Sequence, residues 1–376
     1  MKKLLFDLVA TQPNASGKRH GGGKHGEIIF FRMIERGLKF DCIYDSRKWL
    51  NPEVENAANN HGCVMYDISN NKLDSIIIKG KYDNLYSSLP NNNDILNCKQ
   101  CNVIGTLHGL RDLETPIDSY FWKYPSSIKA KIKWIIQKVA WKLWTKKLYS
   151  GYKVYFDGPC KLITVSEHSR ASMKAFFPNL DKDIKVFYSP NTSSVQLAQK
   201  NITSERYFLM VSGNRWEKNN LRAILAFDRL VTNGLMEGTK AIVTGCIPGV
   251  YEKKVKNKDA FRFIGYVDEK QLESLYANAY CFVYPSLNEG FGYPPLEAMR
   301  YGVPVIASPF SSISELLEGA ALYFNPFLIE EIMSRMLLIS DPKRHEQYSN
   351  AGYEKYQMIK VRQDKDLDAL IDYIYQ

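Results

Sequence analysis

The sequence predicts an α/β protein built from two parallel-sheet halves, and three observations carry that prediction. Short apolar runs of strand length alternate with amphipathic helical stretches twice over, with a polar break between the two series. Each series carries glycine-bearing loops at strand ends. The 376 residues exceed what one ordinary domain uses, at roughly 150 residues apiece.

The first run, Lys2 to Ala10, reads as a buried strand. A loop holding Gly17, Gly21, Gly22, Gly23 and Gly26 follows, then a helix from about Glu27 to Arg36. Strands are expected at Phe40 to Tyr44, Cys63 to Ile68, Ser75 to Ile78, Asn102 to Leu107 and Lys161 to Val165, the last feeding a helix from near Ser166. After Asp183 to Phe187, the polar stretch Ser189-Pro190-Asn191-Thr192-Ser193-Ser194 marks the domain boundary. The alternation then restarts: strand Tyr207 to Val211, helix Asn219 to Val231, strands Ala241 to Thr244 and Phe261 to Ile264. Helix Glu269 to Ala277, strand Cys281 to Tyr284, helix Pro294 to Tyr301 and strand Val303 to Ala307 complete it. The expected domains are 1–190 and 195–350, both Rossmann-like, with a C-terminal helix of about 355–376 packing back on the first. Two such units place a ligand crevice at the carboxyl ends of their strands, between the domains.

Bulk composition narrows the class. With 45% hydrophobic and 24% charged residues, folding is expected throughout. No apolar run approaches the roughly 20 residues of a membrane span, and Asp7 cuts the leading apolar stretch before a signal-peptide core forms. A cytoplasmic location is the expectation. Seven cysteines, an odd number without framework spacing, read as free thiols, and Cys98-Lys99-Gln100-Cys101 lacks the second pair that a zinc site needs. The net charge of +10 suits nucleic acid, an anionic membrane surface or a phosphorylated ligand, and does not choose among them.

The densest signal for chemistry is Asn288-Glu289-Gly290-Phe291-Gly292-Tyr293-Pro294-Pro295-Leu296-Glu297. It runs from a strand end into a helix, with two carboxylates bracketing a glycine turn. The glycines let backbone N–H groups approach a ligand, and a proline suits the first helical turn, where the dipole attracts anions. Glu297 is expected in that turn, placed to bind paired hydroxyls such as those of a ribose.

This segment resembles the paired-glutamate signature of retaining GT-B glycosyltransferases, in particular glycosyltransferase family 4. The runs Phe263 to Val267, Pro285 to Ala307 and Gly319 to Pro326 resemble that family too, so the likeness covers the second domain almost end to end. The resemblance implies GT-B architecture, with two Rossmann-like domains facing across a cleft. It implies that Glu297 binds the donor ribose, that Glu289 and the amides near Gly290, Phe291 and Gly292 hold the donor sugar, and that the backbone around Tyr266 meets the base. Ser212 to Asn219 resembles the family's cationic loop, so Arg215 and Lys218 would neutralise the diphosphate. In the first domain His108, within Gly105-Thr106-Leu107-His108-Gly109-Leu110, resembles a strand-end histidine that touches the donor sugar. The loop with Gly22 and Gly23 resembles one that approaches the donor phosphates.

The implied activity is transfer of a hexose from a GDP-mannose or UDP-hexose type of donor to a glycan acceptor. That acceptor is expected to be lipid-linked, as in bacterial-type surface polysaccharide assembly, and the anomeric configuration is retained. No cofactor, no essential metal and no nucleic acid are expected; Asp181-Lys182-Asp183 mimics a metal motif but precedes a strand. The rival readings are a non-catalytic nucleotide-sugar-binding protein, a nucleic-acid-binding protein and a GT-B epimerase or phosphorylase.

A last expectation concerns Ser127 to Tyr149. Ile128, Ile132, Ile135, Ile136, Val139 and Leu143 form one helical stripe, read as core. Trp134, Trp141 and Leu148 recur on the opposite side, flanked by Lys131, Lys133, Lys138 and Lys142; this second apolar face suits either another protein surface or an anionic membrane, and docking on the cytoplasmic leaflet is the hypothesis.

Overall fold

The computed structural model describes residues 2–14, 20–115, 118–180, 182–191 and 205–376. Gly17, Asp181 and Thr192 to Ser194, singled out from the sequence, lie outside the described residues. The chain forms two compact units. One comprises Met1–Leu110, Lys147–Ser193 and Lys360–Gln376; the other comprises Arg111–Lys146 and Ser194–Ile359.

In chain order the elements begin with β1 (Leu4–Asp7), α1 (Gly21–Glu35), β2 (Phe40–Tyr44), α2 (Pro52–His61) and β3 (Met65–Asp67). Next come α3 (Leu73–Gly80), β4 (Asn84–Ser87), α4 (Asn93–Leu96), β5 (Asn102–Thr106) and α5 (Arg111–Glu114). They continue with α6 (Ile128–Val139), α7 (Trp141–Asp157), β6 (Lys161–Thr164), α8 (Glu167–Phe176) and β7 (Lys185–Val186). The rest are β8 (Tyr207–Met210), α9 (Asn220–Thr232), β9 (Lys240–Val243), β10 (Phe261–Phe263), α10 (Glu269–Asn278) and β11 (Cys281–Tyr284). The series closes with α11 (Tyr293–Arg300), β12 (Val305–Ala307), α12 (Ser312–Leu317), β13 (Ala321–Tyr323), α13 (Ile329–Ile339) and α14 (Pro342–Tyr375).

The first unit is a seven-stranded sheet in the order β3-β2-β1-β4-β5-β6-β7. Every pairing is parallel, with Leu4 opposite Phe40 on one side and Asn84 on the other. Helices cover both faces of such a sheet, so its central strands are buried on both sides and read as unbroken apolar runs; Leu4 to Asp7 is buried throughout. Phe6, Phe30, Phe40 and Tyr86 pack at the centre, and Leu367, Leu370, Ile371 and Ile374 of α14 close the same core.

Two expectations are corrected in this part of the chain. Ser75 to Ile78 is not a strand: it lies in α3, where Leu73, Ile76 and Ile77 are buried at helical spacing. A run of three isoleucines has strand composition, but the i, i+3, i+4 pattern decides. The strand that sits beside β1 is instead β4, whose Asn84 and Ser87 break the apolar run. The glycine triplet is not a loop either. α1 starts at Gly21, because the His20 ring accepts the Gly23 N–H (3.0 Å) and caps the helix.

The second unit repeats the design with six parallel strands ordered β10-β9-β8-β11-β12-β13. Residues 111–146 belong to this unit. A buried bidentate pair pins them: Arg222 Nη1 and Nη2 donate to Asp118 Oδ2 and Oδ1 (2.5 and 2.9 Å). The Arg222 guanidinium also lies 3.7 Å from the Tyr120 ring centroid, and Leu221 N donates to Tyr124 Oη (2.8 Å). The 118–124 segment thus caps the start of α9, where backbone donors lack helical partners.

The third correction is the sidedness of the tryptophan-bearing segment. The helix breaks at Ala140 into α6 and α7. Trp134 is buried (8% exposed), stacked on Phe121 at 6.2 Å and edge-on to Trp122 at 5.5 Å. The stripe read as core faces out: Val139 is 81% exposed, and Ile128, Ile132, Ile135, Ile136 and Leu143 are exposed as well. Trp141 is 46% exposed. Both faces of this helix are apolar in sequence, so only the available partners decide which is covered. The indole removes more area from water and finds Phe121 and Trp122 to pack on.

Candidate functional site

In the second unit the strand order reverses between β8 and β11, so the loops leaving their carboxyl ends lie side by side. Lys218 ends the first loop and Glu289 lies in the second. Leu287 N donates to Glu217 O (2.8 Å), stitching the two loops together. Asn219, in the left-handed conformation (φ 57°), turns the chain from Lys218 into α9 and ties it down by donating to Pro326 O (2.7 Å).

Lys218 and Glu289 are both buried and directly paired, with Lys218 Nζ donating to Glu289 Oε1 at 2.5 Å. The same oxygen accepts from Tyr284 Oη (2.6 Å) and Ser286 Oγ (2.5 Å), and Lys218 Nζ also donates to Tyr284 Oη (3.0 Å). Burial opposes ionisation of Glu289, but the fields of Lys218 and Arg111 and the donated hydrogen bonds outweigh it. The carboxyl is pulled down to about 2. Burial also pulls the Lys218 ammonium below its ordinary value; Glu289 opposes that and Arg215 adds to it. Arg215 is half-exposed and donates from Nε and Nη2 to Glu217 Oε1 (2.8 and 2.5 Å).

The glycine turn after Glu289 is clamped from below. Glu289 N donates to Ser311 Oγ (2.7 Å), and Ser312 Oγ donates to Phe291 O (2.5 Å) and Glu289 O (3.0 Å). Ser311 adopts φ 55°, a conformation costly for a residue with a side chain and typical of constrained functional loops. Gly292 caps α11 at φ 113°, which only glycine adopts easily. Phe291 and Gly292 are buried and Gly290 is half-buried.

Two expectations about this turn change. Because α11 starts at Tyr293, Glu297 lies beyond its first turn, which holds no acidic residue. Glu297 stands 3.9 Å from Arg300 instead. Pro294 and Pro295 contribute no N–H, so the amides of an anion site here are those of the Gly290 to Tyr293 turn and not of the helix interior. Tyr266 is 91% exposed on the loop after β10.

Three participants escaped the sequence reading. Tyr284 and Ser286 lie just upstream of Glu289 and were legible as hydroxyls at a strand end. Arg111, 178 residues before Glu289 in the chain, carried no local signal; Asn288, adjacent to Glu289, donates to Glu114 of the same short helix α5 (2.7 Å).

His108 and the glycines sit in the first unit. His108 follows β5; its Nε2 lies 2.9 Å from Ser88 O, and its ring meets His25 edge-on at 4.9 Å. Burial, with the neighbouring His108, pushes His25 well below its ordinary value. A side chain at Gly22 would contact Leu89 and the His108 ring, whereas Gly23 lies against Thr11 and His20. Gly22 and His108 are therefore neighbours; Lys218, Glu289, Arg215, Glu297 and Tyr266 form a separate set within the second unit. Among the described residues, no group of three His, Cys, Asp or Glu is arranged to hold a metal ion.

The chain is similar to known glycosyltransferases in sequence and in fold. Residues 194–355 match the family described as Glycosyl transferases group 1. Over 177 residues, 44% of this chain, the sequence is 31% identical to the O-antigen chain mannosyltransferase RfbU of Salmonella typhimurium, covering 47% of that protein. The chain spans less than half the length of the curated relatives first matched. Among solved structures, sucrose-phosphate synthase from Thermosynechococcus elongatus superposes with a TM-score of 0.68 at 16% identity, over 99% of this chain and 98% of that one. Anabaena HepE in complex with UDP-glucose superposes with a TM-score of 0.64 at 14% identity, over 98% of this chain and 99% of that one. The fold of the chain is that of GT-B glycosyltransferases.

Proposed function

From the similarity of residues 194–355 to the family described as Glycosyl transferases group 1, we propose that the protein is a retaining hexosyltransferase acting on a nucleotide-diphosphate sugar. The observation that carries this is the buried Lys218–Glu289 pair at the strand-order reversal of the second unit. Lys218 and Arg215 would neutralise the leaving diphosphate, and the Gly290 to Tyr293 amides would receive its oxygens. Glu289, held ionised, and the adjoining Phe291 and Gly292 turn would hold the donor sugar's hydroxyls. Glu297 is read as the ribose partner, Tyr266 as the base contact, and His108 beside Gly22 and Gly23 as the first unit's contribution to the sugar and phosphates.

In the transfer the anomeric carbon–phosphate oxygen bond breaks while the acceptor hydroxyl oxygen bonds the same carbon from the same face. The departing phosphate oxygen takes the hydroxyl proton, so no protein base is required. The charge is balanced by Arg215 and Lys218 and not by a metal, so a chelator is expected to leave turnover unchanged. RfbU is named as an O-antigen chain mannosyltransferase, which favours mannose as the sugar and surface polysaccharide as the product.

Thermal shift with GDP, UDP, GDP-mannose and UDP-glucose tests the donor: a ligand at about 100 times its Kd adds roughly 2.7 kcal/mol. NMR of the product then reads the anomeric configuration. No shift with any nucleotide, or an inverted product, would overturn the reading.

The acceptor is read as lipid-linked, with the protein docked on an anionic bilayer. No helix among the described residues is long and apolar enough to cross a membrane. The exposed Ile128, Ile132, Ile136, Val139 and Leu143 ridge is accompanied, from Ser127 to Lys146, by six lysines and no carboxylate. Apolar area plus about 1 kcal/mol per cation suits an anionic interface. The native chain is expected to sediment with phosphatidylglycerol vesicles at low salt, and an Ile132→Ser, Val139→Ser variant to remain in solution. Equal sedimentation would remove the membrane from the proposal.

A further inference from the structure

Four of the six tryptophans in the chain, Trp134, Trp141, Trp144 and Trp216, line one cavity of about 170 Å³ in the second unit. Its remaining walls are polar, among them Asp112, Thr115 and Gln137. A hydrophobic core does not interleave such groups with aromatic rings; small-molecule sites do, because a few placed polar atoms orient a ligand against apolar walls. The indole N–H of Trp134 is buried and meets no acceptor among the described residues. A buried donor left unpaired costs free energy that a bound hydroxyl would restore.

The cavity abuts the charged centre. Arg111, whose field helps to hold Glu289 ionised, and Glu217, which grips Arg215, both line it. A group bound there therefore lies next to the residues assigned to the donor diphosphate and sugar.

The lining selects a class of ligand. A pyranose ring carries an apolar face of C–H bonds and a rim of hydroxyls, so it requires flat aromatic surface with donors and acceptors at its edge. The volume suits one ring, not an oligosaccharide segment. Tryptophan also attracts cations, but here that demand is already met: Lys138 Nζ lies 5.1 Å from the Trp134 ring and Lys133 Nζ 5.3 Å from the Trp144 ring. In the wall itself Arg111 stands against Asp112 and Glu217, so no surplus of negative charge calls for a cationic ligand beyond these lysines.

We propose that this cavity receives the terminal hexose ring of the acceptor glycan, presenting its hydroxyl to the donor site. This rests on the transferase reading of the adjoining Lys218–Glu289 centre.

Four indoles in the wall make tryptophan fluorescence a direct reporter that needs no turnover. The full chain is titrated with methyl α-mannoside, methyl α-glucoside and tetramethylammonium, and GDP and UDP binding are measured in parallel by thermal shift. The expected result is a saturable response to a methyl hexoside, with Kd on the order of 10 mM. It should weaken about tenfold or more in Trp141→Ala and in Gln137→Ala, with nucleotide binding unchanged in both. Both positions are at least partly exposed, so the variants are expected to fold. Nucleotide binding without any saturable hexoside response, or variants titrating like the native chain, overturns the acceptor cavity alone. Saturation by tetramethylammonium in place of sugar also overturns it. Absence of nucleotide binding, with hexoside binding intact, removes the transferase reading and leaves a sugar-binding cavity.

Discussion

At the residue scale, the Lys218–Glu289 pair joins chemistry to stability. The family resemblance implies that Lys218 neutralises a diphosphate; in the fold it is buried and neutralises an equally buried carboxylate. Lys218→Ala is therefore expected to abolish donor binding and also to cost about 3–5 kcal/mol, because it strands the Glu289 charge. Lys218→Met with Glu289→Gln should recover most of that stability and none of the activity, measured by denaturant unfolding and donor turnover; a double variant no more stable than Lys218→Ala would show the pair is not the cause. Asp7 supplies a pH effect of the opposite kind. Burial raises its carboxyl to about 6, against the lowering effect of Ser87, which donates to it at 2.6 Å. A carboxyl raised on folding stabilises fully below its unfolded value of 3.8 and loses that contribution as pH climbs through about 6. The loss is about 3 kcal/mol at most. Thermal midpoints should fall between pH 4 and 7 in the native chain and fall less in Asp7→Asn; parallel pH profiles would contradict this.

At the element scale, the segment from Arg111 to Lys146 is where sequence periodicity failed. Its helices show two apolar faces, and a helical wheel ranks hydrophobicity without knowing what each face meets. Trp134 turned inward because Phe121 and Trp122 are there to receive it, while the isoleucine ridge has no such partner among the described residues. The anchor of the segment is polar. Arg222→Leu would leave Asp118 buried without its guanidinium, at about 3–5 kcal/mol. Since Asp118 anchors the segment whose Phe121 and Trp122 pack on Trp134, the variant should also expose Trp134, read as a red-shifted and quenched emission. Unaltered emission would place the anchor elsewhere. α3 and β4 teach a related lesson. Isoleucine runs favour strands by composition, yet helical spacing decided α3, and Asn84 and Ser87 hid the β4 strand that neighbours β1.

At the scale of the whole molecule, the chain does not divide at one point. α14 begins in the second unit, and its last turns complete the core of the first, through Leu367, Leu370, Ile371 and Ile374. Arg32 reinforces this contact by donating from Nε and Nη2 to Asp368 (2.9 Å each), as does Arg36 to Asp372 (2.6 Å). Deletion of 360–376 is expected to expose that core and abolish cooperative unfolding of the first unit, while the second keeps its own transition. Calorimetry of the truncated chain checks it, and an unchanged profile would show that the helix end is dispensable.

The sequence by itself determined the α/β class, the two series of strands and helices, and the loop carrying Glu289, because all of these are encoded within a few turns of chain. Periodicity, glycine placement and strand-end hydroxyls are local signals, and local forces read them directly. Only the tertiary structure decided which distant groups share a site. Arg111 came to Glu289 from 178 residues away, Lys218 was buried against it, and four tryptophans closed on one cavity. The same holds for the helix that turned its indole in and its isoleucines out. Burial and pairing depend on partners that the parallel crossovers of the sheet bring together, and no window of sequence contains both halves of such a contact.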